Sequence, residues 1–167
     1  MIKYLTYLTL LSSTLFSSVS KQIIKNDSKS FIIEINIDAL TESDLYPTSL
    51  LLGLPTEKLP KIKIDYRNES PIPFKSVQPN DEGFKWINQQ RLKNLETATL
   101  LVSPMSSSSN KYYKNINIQF NFDNPGTNYR QPNKSEIEFL NDRVLNWNVA
   151  KDWVIDNKKR NSRISTL

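Results

Sequence analysis

The 167-residue sequence contains no cysteine and no histidine, and it has only three glycines. Without cysteine there is no thiolate nucleophile, disulfide, zinc–thiolate site or iron–sulfur ligand. Without histidine there is no imidazole base, Ser-His-Asp triad or imidazole metal ligand. The glycines Gly53, Gly83 and Gly126 are too far apart for a phosphate-binding loop. The sequence therefore predicts no catalytic residue, no cofactor and no metal site. Catalysis by carboxylates, lysine or tyrosine alone would need several such side chains close together, and no motif in the sequence indicates such a cluster.

The first twenty residues have the organisation of an export signal. Lys3 is followed by a mainly apolar run over residues 4–16, and Ser18 and Ser20 provide the small side chains that a signal peptidase reads. A membrane-spanning helix needs about 20 apolar residues, which is more than this run supplies. We predict a signal peptide over residues 1–20, cleaved after Ser20. The mature chain is then exported to the periplasm, cell surface or medium without a stable membrane anchor.

Alternating apolar and polar residues predict β-strands in the mature chain. The alternation is clear over residues 31–38 and over residues 115–122 of a predicted strand at 112–122, and it resumes over residues 61–66. The apolar residues 99–102 are predicted to form another strand. Residues 84–95 are rich in Gln, Asn, Lys and Arg, which suits a loop or a short helix. Pairs of strands around loops favour a mainly β fold, an antiparallel β-sandwich-like domain over residues 21–156.

The C-terminal part of this domain changes to a helical period. Ser135 and Glu138 have the spacing of a capping box at the start of a helix. Apolar residues then recur three or four positions apart, at Ile137, Leu140, Val144, Trp147, Ala150 and Val154. This pattern predicts an α-helix over about residues 135–155, with a possible restart near Asn148. Glu136 and Glu138 diverge on such a helix, which favours capping and helix-dipole roles over acid–base chemistry.

The three tryptophans, Trp86, Trp147 and Trp153, could form a platform for a glycan or peptide, or they could pack in the core. Packing is the better interpretation for Trp147 by a wide margin and for Trp86 by a narrow one. Residues 123–126 lack calcium-loop spacing and are predicted to form a β-turn. Residues 157–167 form a basic tail, which we interpret as a solvated linker and not as a nucleic-acid surface.

Two segments resemble the precursors of gingipain-like cysteine peptidases. Residues 52–60, LGLPTEKLP, are similar to a segment near the start of such precursors, and residues 146–153, NWNVAKDW, are similar to the stretch that leads into their catalytic domain. The order of signal peptide, strand-rich region, helix and junction also matches. The catalytic His and Cys of that family have no counterpart in this chain.

The resemblance implies a non-enzymatic prodomain, or an N-terminal precursor fragment, that assists the folding or latency of a cysteine peptidase. Its partner would be a catalytic domain encoded in cis or in an adjacent frame, in a bacterium that exports it through Sec and often the type IX system. The basic tail would then hold a candidate processing site for a peptidase with Arg or Lys specificity, formed by Lys158, Lys159, Arg160 and Arg163.

The residues leave a second interpretation open, an independent extracellular β-sandwich binding module for a glycan or a protein. The two interpretations predict different surfaces. A prodomain is expected to expose an apolar patch that its partner covers. A glycan-binding module is expected to display a solvent-facing aromatic row around Trp86.

Overall fold

A computed structural model describes residues 18–75, 83–106, 110–123, 126 and 128–156. The described ranges contain seven strands, two short α-helices, and 3-10 turns at Glu42–Leu45 and Lys151–Trp153. The elements in chain order are β1 (Val19–Asn26), β2 (Ser30–Ile37), β3 (Thr48–Leu54), β4 (Lys61–Pro71), β5 (Phe84–Leu92), β6 (Leu95–Val102), β7 (Lys111–Asn121), α1 (Lys134–Leu140) and α2 (Trp147–Ala150). The predicted fold class is confirmed: the protein is mainly β, with a C-terminal helical segment.

The described strands form two antiparallel sheets, with the orders β1-β2-β7-β4 and β3-β6-β5. The predicted strands at residues 31–38 and 112–122 are β2 and β7, the two central strands of the larger sheet. Their apolar residues face the second sheet, and Ile33 pairs with Ile118 across the strands. Strict alternation arises here because one face of each central strand is buried and the other is polar.

The structure corrects the loop or short helix predicted for residues 84–95. This segment is β5, and it turns back into β6 through Lys93 and Asn94, whose φ angles of 47° and 67° suit a two-residue hairpin turn. Both faces of β5 are largely exposed, so its polar composition is compatible with an edge strand. A register shift between Trp86 and Asn88 also breaks the alternation that would have indicated a strand.

The helical segment forms a third layer on the outer face of β3 and β6. It buries its own apolar cluster with Leu95, separate from the core between the sheets; the cluster contains Leu140, Val144, Trp147, Ala150, Trp153 and Val154. The predicted helical segment over about residues 135–155 is not one continuous helix; it is interrupted and restarts close to Asn148, the second of the two predicted alternatives, as α1 and α2. At the break, the Leu145 amide donates to the Leu51 carbonyl of β3 at 3.0 Å and leaves the helical pattern.

The predicted capping box is also displaced. Asn133, and not Ser135, is the N-cap of α1, and its side chain accepts a hydrogen bond from the Glu136 amide at 3.0 Å. The Glu136 carboxylate accepts one in return from the Asn133 amide at 2.8 Å. The motif therefore has the predicted spacing but begins two residues earlier. Ile137, predicted to be buried, is 42% exposed.

The predicted cleavage point after Ser20 lies inside β1. The Ser18 carbonyl accepts a hydrogen bond from the Asp38 amide at 2.7 Å, and the Ser18 hydroxyl donates to the Asp44 carboxylate. A chain cleaved after Ser20 would lose these contacts and keep β1 from Lys21 onward. The export signal itself remains a prediction, since residues 1–17 lie outside the described part.

The candidate processing site also lies outside the described residues. Lys158, Lys159, Arg160 and Arg163 belong to residues 157–167, which follow the last described position, Asp156. Their role therefore stays a prediction.

Candidate functional site: the Gly53–Asn146 clasp and the surfaces beside it

The outer edge of β3 is covered by the break between α1 and α2. Among the described strands β3 pairs with β6 alone, so its other edge would present unpaired backbone groups. The side-chain amide of Asn146 meets Gly53 at this edge. Its Oδ1 accepts from the Gly53 amide at 2.8 Å, and its Nδ2 donates to the Gly53 carbonyl at 2.9 Å. We call this contact the Gly53–Asn146 clasp; it supplies the two hydrogen bonds that a neighbouring strand would make.

The clasp is buried as well as complete. Asn146 is 0% exposed, and its hydrogen-bond partner lies 93 residues away in sequence. A buried amide without partners is unfavourable by a few kcal/mol, whereas a paired one specifies a single geometry. The clasp therefore fixes the position of the C-terminal segment on β3.

Position 53 requires glycine because there is no room for a side chain, and not because of its backbone angles. A Cβ atom there would lie well inside van der Waals contact with the Ala150 Cβ of α2. It would also lie 3.1 Å from a methyl group of Leu95 and 3.3 Å from one of Val144. The absence of a side chain lets α2 approach β3 closely enough for Asn146 to reach the strand edge.

A second anchor ties α1 to the β5–β6 hairpin. Glu136 is 2% exposed. Its carboxylate accepts hydrogen bonds from both terminal nitrogens of Arg130, at 2.6 Å and 2.8 Å. Asn94, in the hairpin turn, donates to the same carboxylate at 2.9 Å. The Arg130 hydrogen bonds, with smaller contributions from Asn133 and Asn94, hold the pKa of Glu136 at about 2. The predicted divergence of Glu136 and Glu138 is confirmed, since Glu138 points to solvent beside Lys134.

Removing the Glu136 charge should weaken the acid dependence of stability. The folded pKa of about 2 lies below the ordinary 4.5, so this stabilisation is present above pH 4.5 and is lost as the pH falls toward 2. We expect a Glu136→Gln variant to lose about 1–2 kcal/mol of stability at pH 7 and only about a quarter of that amount near pH 2.5. Urea denaturation at both pH values measures the gap.

The matched control for this prediction is Glu138→Gln, whose partner Lys134 is a largely exposed residue. It should change the free energy of unfolding by less than about 0.5 kcal/mol at either pH. A gap between wild type and Glu136→Gln that stays constant from pH 7 to 2.5 would contradict the assigned role of the carboxylate.

The chain is held to the domain up to its last described residue. The Val154 carbonyl accepts from the Arg130 amide at 3.0 Å, the Ile155 amide donates to Asn94 at 2.8 Å, and the Asp156 amide donates to Asn128 at 3.1 Å. The point where the chain leaves the described domain is therefore fixed beside the β5–β6 hairpin, directly before the basic tail.

The three tryptophans pack against apolar clusters, which confirms the interpretation preferred for Trp147. Trp147 and Trp153 lie in the cluster beneath the helical segment. Trp86 is half-buried against the core between the sheets, with its ring centroid 6.4 Å from that of Phe120. It therefore takes part in core packing and is not displayed in a solvent-facing row.

A groove lined by both polar and apolar residues lies on the outer face of the smaller sheet, beyond the helical layer. We call it the β5 groove; its volume is about 270 Å³, and it is lined by Pro47, Gly83, Phe84, Lys85, Ile87, Leu101 and Ser103. Phe84 and Ile87 are 47% and 50% exposed. Leu95 packs beneath the helices. Leu101 lies six residues further along β6, about 20 Å away, so the groove is separate from the helical layer.

Two further observations bear on function. Within the described ranges, carboxylates do not gather in groups of three or more that could hold a metal ion. In that same part of the chain, the helices are too short or too polar to cross a membrane.

The fold thus defines a two-sheet β domain whose C-terminal helical cover is clasped to one sheet edge. No model of a protein family matches the sequence, and no curated protein matches it. Among solved structures, a chain from the complex of Porphyromonas gingivalis RgpB pro- and mature domains is similar to it. The TM-score is 0.48 at 10% identity, over 79% of this chain and 98% of that chain.

Proposed function

We propose that this chain is an exported, non-catalytic prodomain that assists the folding or latency of a gingipain-like cysteine peptidase domain. One observation carries the proposal: the two segments that resemble gingipain precursors meet at a single buried contact. Gly53 lies in the first segment and Asn146 begins the second, and the clasp joins them. Two short similarities at distant positions are therefore parts of one structural unit.

The geometry suits a domain that presents a partner at its C-terminal end. The clasp and the Arg130–Glu136 anchor hold the segment that resembles the prodomain–catalytic junction, and the hydrogen bonds at Ile155 and Asp156 fix the exit of the chain. A basic tail follows directly. A peptidase cutting at Lys158, Lys159, Arg160 or Arg163 would separate the two domains without cutting any described element.

The β5 groove supports the same interpretation, because a prodomain that restrains a peptidase must bind it through a surface contact. A sequence without cysteine or histidine cannot supply the catalytic pair of the resembled family. An independent glycan-binding module is less well supported, since Trp86 packs toward Phe120 and the core. A protein-binding module would use the same groove and differs from a prodomain only in its partner.

The proposal is tested with the full chain and the gingipain-like catalytic domain encoded downstream or in an adjacent frame. The chain is mixed with the active peptidase domain, and hydrolysis of a peptide substrate with Arg or Lys at the cleaved bond is followed. We expect at least a tenfold slower initial rate, or a several-fold higher yield of active enzyme when the chain is present during refolding. Mass spectrometry should find the new terminus within residues 157–167.

The proposal fails if the chain changes neither the rate nor the refolding yield. A peptidase that cuts within residues 21–156 of the folded chain, and not in the tail, would contradict the processing site alone. The control is the Asn148→Ala variant, which is altered at an exposed position of α2. It should change the peptidase rate and the refolding yield as much as the wild type does.

A further inference from the structure

We propose that residues 154–156 determine which basic residue of the tail is cut: the bond after Lys158 is protected, and Arg160 and Arg163 are the processing residues. The proposal rests on the prodomain function and makes its processing step specific. It follows from a short two-stranded ribbon of residues 128–130 and 154–156, which we call the exit ribbon.

The exit ribbon is held on both sides of Ile155. Tyr129 and Ile155 form an antiparallel β-bridge. On the other side, the Ile155 amide donates to the Asn94 carbonyl in the β5–β6 turn at 2.8 Å. Val154, the preceding residue, is fully buried in the apolar cluster beneath the helical segment. Residues 154–156 therefore lie between two neighbours, as a central strand does, and cannot be lifted out without exposing apolar surface.

Asn128 holds both backbone groups of Asp156. The Asn128 carbonyl accepts a hydrogen bond from the Asp156 amide at 3.1 Å, and the Asn128 side-chain Nδ2 donates to the Asp156 carbonyl at 3.3 Å. The backbone is therefore paired up to the carbonyl that immediately precedes the tail. We infer a positioning role for Asn128, which fixes the point where the chain leaves the domain.

Tyr129 anchors the exit ribbon to the first of the two gingipain-like segments. Its hydroxyl donates to the carbonyl of Pro55, within residues 52–60, and accepts from the Gly126 amide at 2.9 Å. A shift of the ribbon along the domain would break both hydrogen bonds. The register of residues 154–156, and with it the distance from the domain to each basic residue of the tail, is thus fixed.

This pairing affects the bond after Lys158. A peptidase binds the residues before the bond that it cuts as an extended strand, through main-chain hydrogen bonds. Before Lys158 these residues are Asn157, Asp156 and Ile155, and the last two are paired within the exit ribbon. A strand that is already paired must open before it can pair with a peptidase, so the rate of cutting falls with the fraction of molecules that are open.

The later basic residues do not have this restriction. The three residues before Arg160 are 157–159, and those before Arg163 are 160–162, all outside the exit ribbon. Lys159 has Asp156 as the third residue before it and should be protected less than Lys158. Hydrolysis after Arg160 adds water across the peptide bond to Asn161, leaving a carboxylate on Arg160 and a new ammonium group on Asn161.

Limited proteolysis with trypsin tests this selection, because trypsin cuts after Lys and Arg and needs no gingipain-like partner. The folded full chain is digested, and mass spectrometry gives the initial rate of each cut relative to a synthetic peptide of residues 152–167. We expect the cut after Lys158 to be at least about tenfold slower in the protein than in the peptide. The cuts after Arg160 and Arg163 should be within about threefold of the peptide.

A Gly-Ser-Gly insertion between Asp156 and Asn157 separates Lys158 from the exit ribbon without altering any described residue. The cut after Lys158 should then approach its rate in the peptide. The matched control is the same insertion between Arg163 and Ile164, which should leave Lys158 protected.

Asn128→Ala removes one of the two hydrogen bonds that Asn128 makes with Asp156. It should accelerate the cut after Lys158 at least about threefold, whereas the exposed control Asn148→Ala should not. If Asn128→Ala unfolds the whole domain, cuts within residues 21–156 will appear as well, and the insertion variant decides the question.

The proposal is overturned if Lys158 is cut as fast in the folded protein as in the peptide, or if it stays protected after the insertion at Asp156. Failure of the prodomain function gives a different result. If the chain slows the peptidase but is cut by it after Lys158 as readily as after Arg160, the function stands and the exit ribbon does not select the site. If Lys158 is protected from trypsin but the chain affects no gingipain-like domain, the ribbon stands and the prodomain function fails.

Discussion

A Gly53→Ala substitution is expected to destabilise the protein by about 2–3 kcal/mol, since it inserts a methyl group where the structure has no room. The new Cβ would collide with that of Ala150 and crowd Leu95. Relief requires α2 to move away from β3, and this movement would also lengthen the hydrogen bonds of Asn146. Urea denaturation followed by tryptophan fluorescence measures the loss, because Trp147 lies beneath the same segment.

Gly126→Ala is the matched control, because a Cβ at that position would make only an ordinary contact, 3.5 Å from the Tyr129 hydroxyl. It should change the free energy of unfolding by less than about 0.5 kcal/mol. Ala150→Gly removes the atom that Gly53→Ala would strike, so the double variant should be less destabilised than the two single changes added together. Strict additivity would show that Gly53 and Ala150 are not in close contact.

An Asn146→Ala substitution is expected to destabilise the protein by about 3 kcal/mol. It removes both hydrogen bonds of the clasp and leaves the Gly53 amide and carbonyl buried without their partner. Asn146→Asp should also be strongly destabilising, because its carboxylate can accept from the amide but would face the Gly53 carbonyl. The free energy of unfolding from urea denaturation gives both values.

The control is Asn148→Ala, which alters an exposed asparagine two residues along α2. Its effect should be within about 0.5 kcal/mol of zero. If Asn146→Ala and Asn148→Ala are equally mild, the Asn146 amide contributes no more than a solvated surface group and the clasp does not hold the segment.

The central strands β2 and β7 could be predicted from the sequence, as could the edge strand β4, but the exposed edge strands β1 and β5 could not, for one physical reason. β2 and β7 each bury one face, so their composition alternates. β1 and β5 are exposed on both faces and contain register shifts, after Ile23 and after Trp86. Neither burial nor pleat imposes a period on such strands, and pairing with a neighbour determines their conformation.

The helical segment shows the limit of periodicity in another way. The spacing of Leu140, Val144, Trp147 and Ala150 predicted their burial correctly. It left open whether the helix breaks near Asn148, because the break is caused by hydrogen bonds from Leu145 and Asn146 to a strand some ninety residues earlier. The sequence around Leu145 and Asn146 does not indicate a hydrogen-bond acceptor so far away in the chain.

The candidate site could be predicted from the sequence only in part, for the same reason. The family resemblance indicated residues 52–60 and 146–153, but nothing in either segment shows that they touch. Asn146 is one asparagine in a chain rich in them, and Gly53 has no unusual backbone angle to mark it. Their roles follow from the closeness of two elements that only the fold brings together.

Hydrogen exchange at the Gly53 amide tests most directly whether the clasp joins the two segments into one unit. With Asn146 accepting its hydrogen, this edge-strand amide should exchange only through opening close to global unfolding, and the Asn146→Ala variant should exchange at least a hundredfold faster. Exchange in the wild type as rapid as that of a solvent-facing edge amide, or equal protection in the variant, would contradict the account.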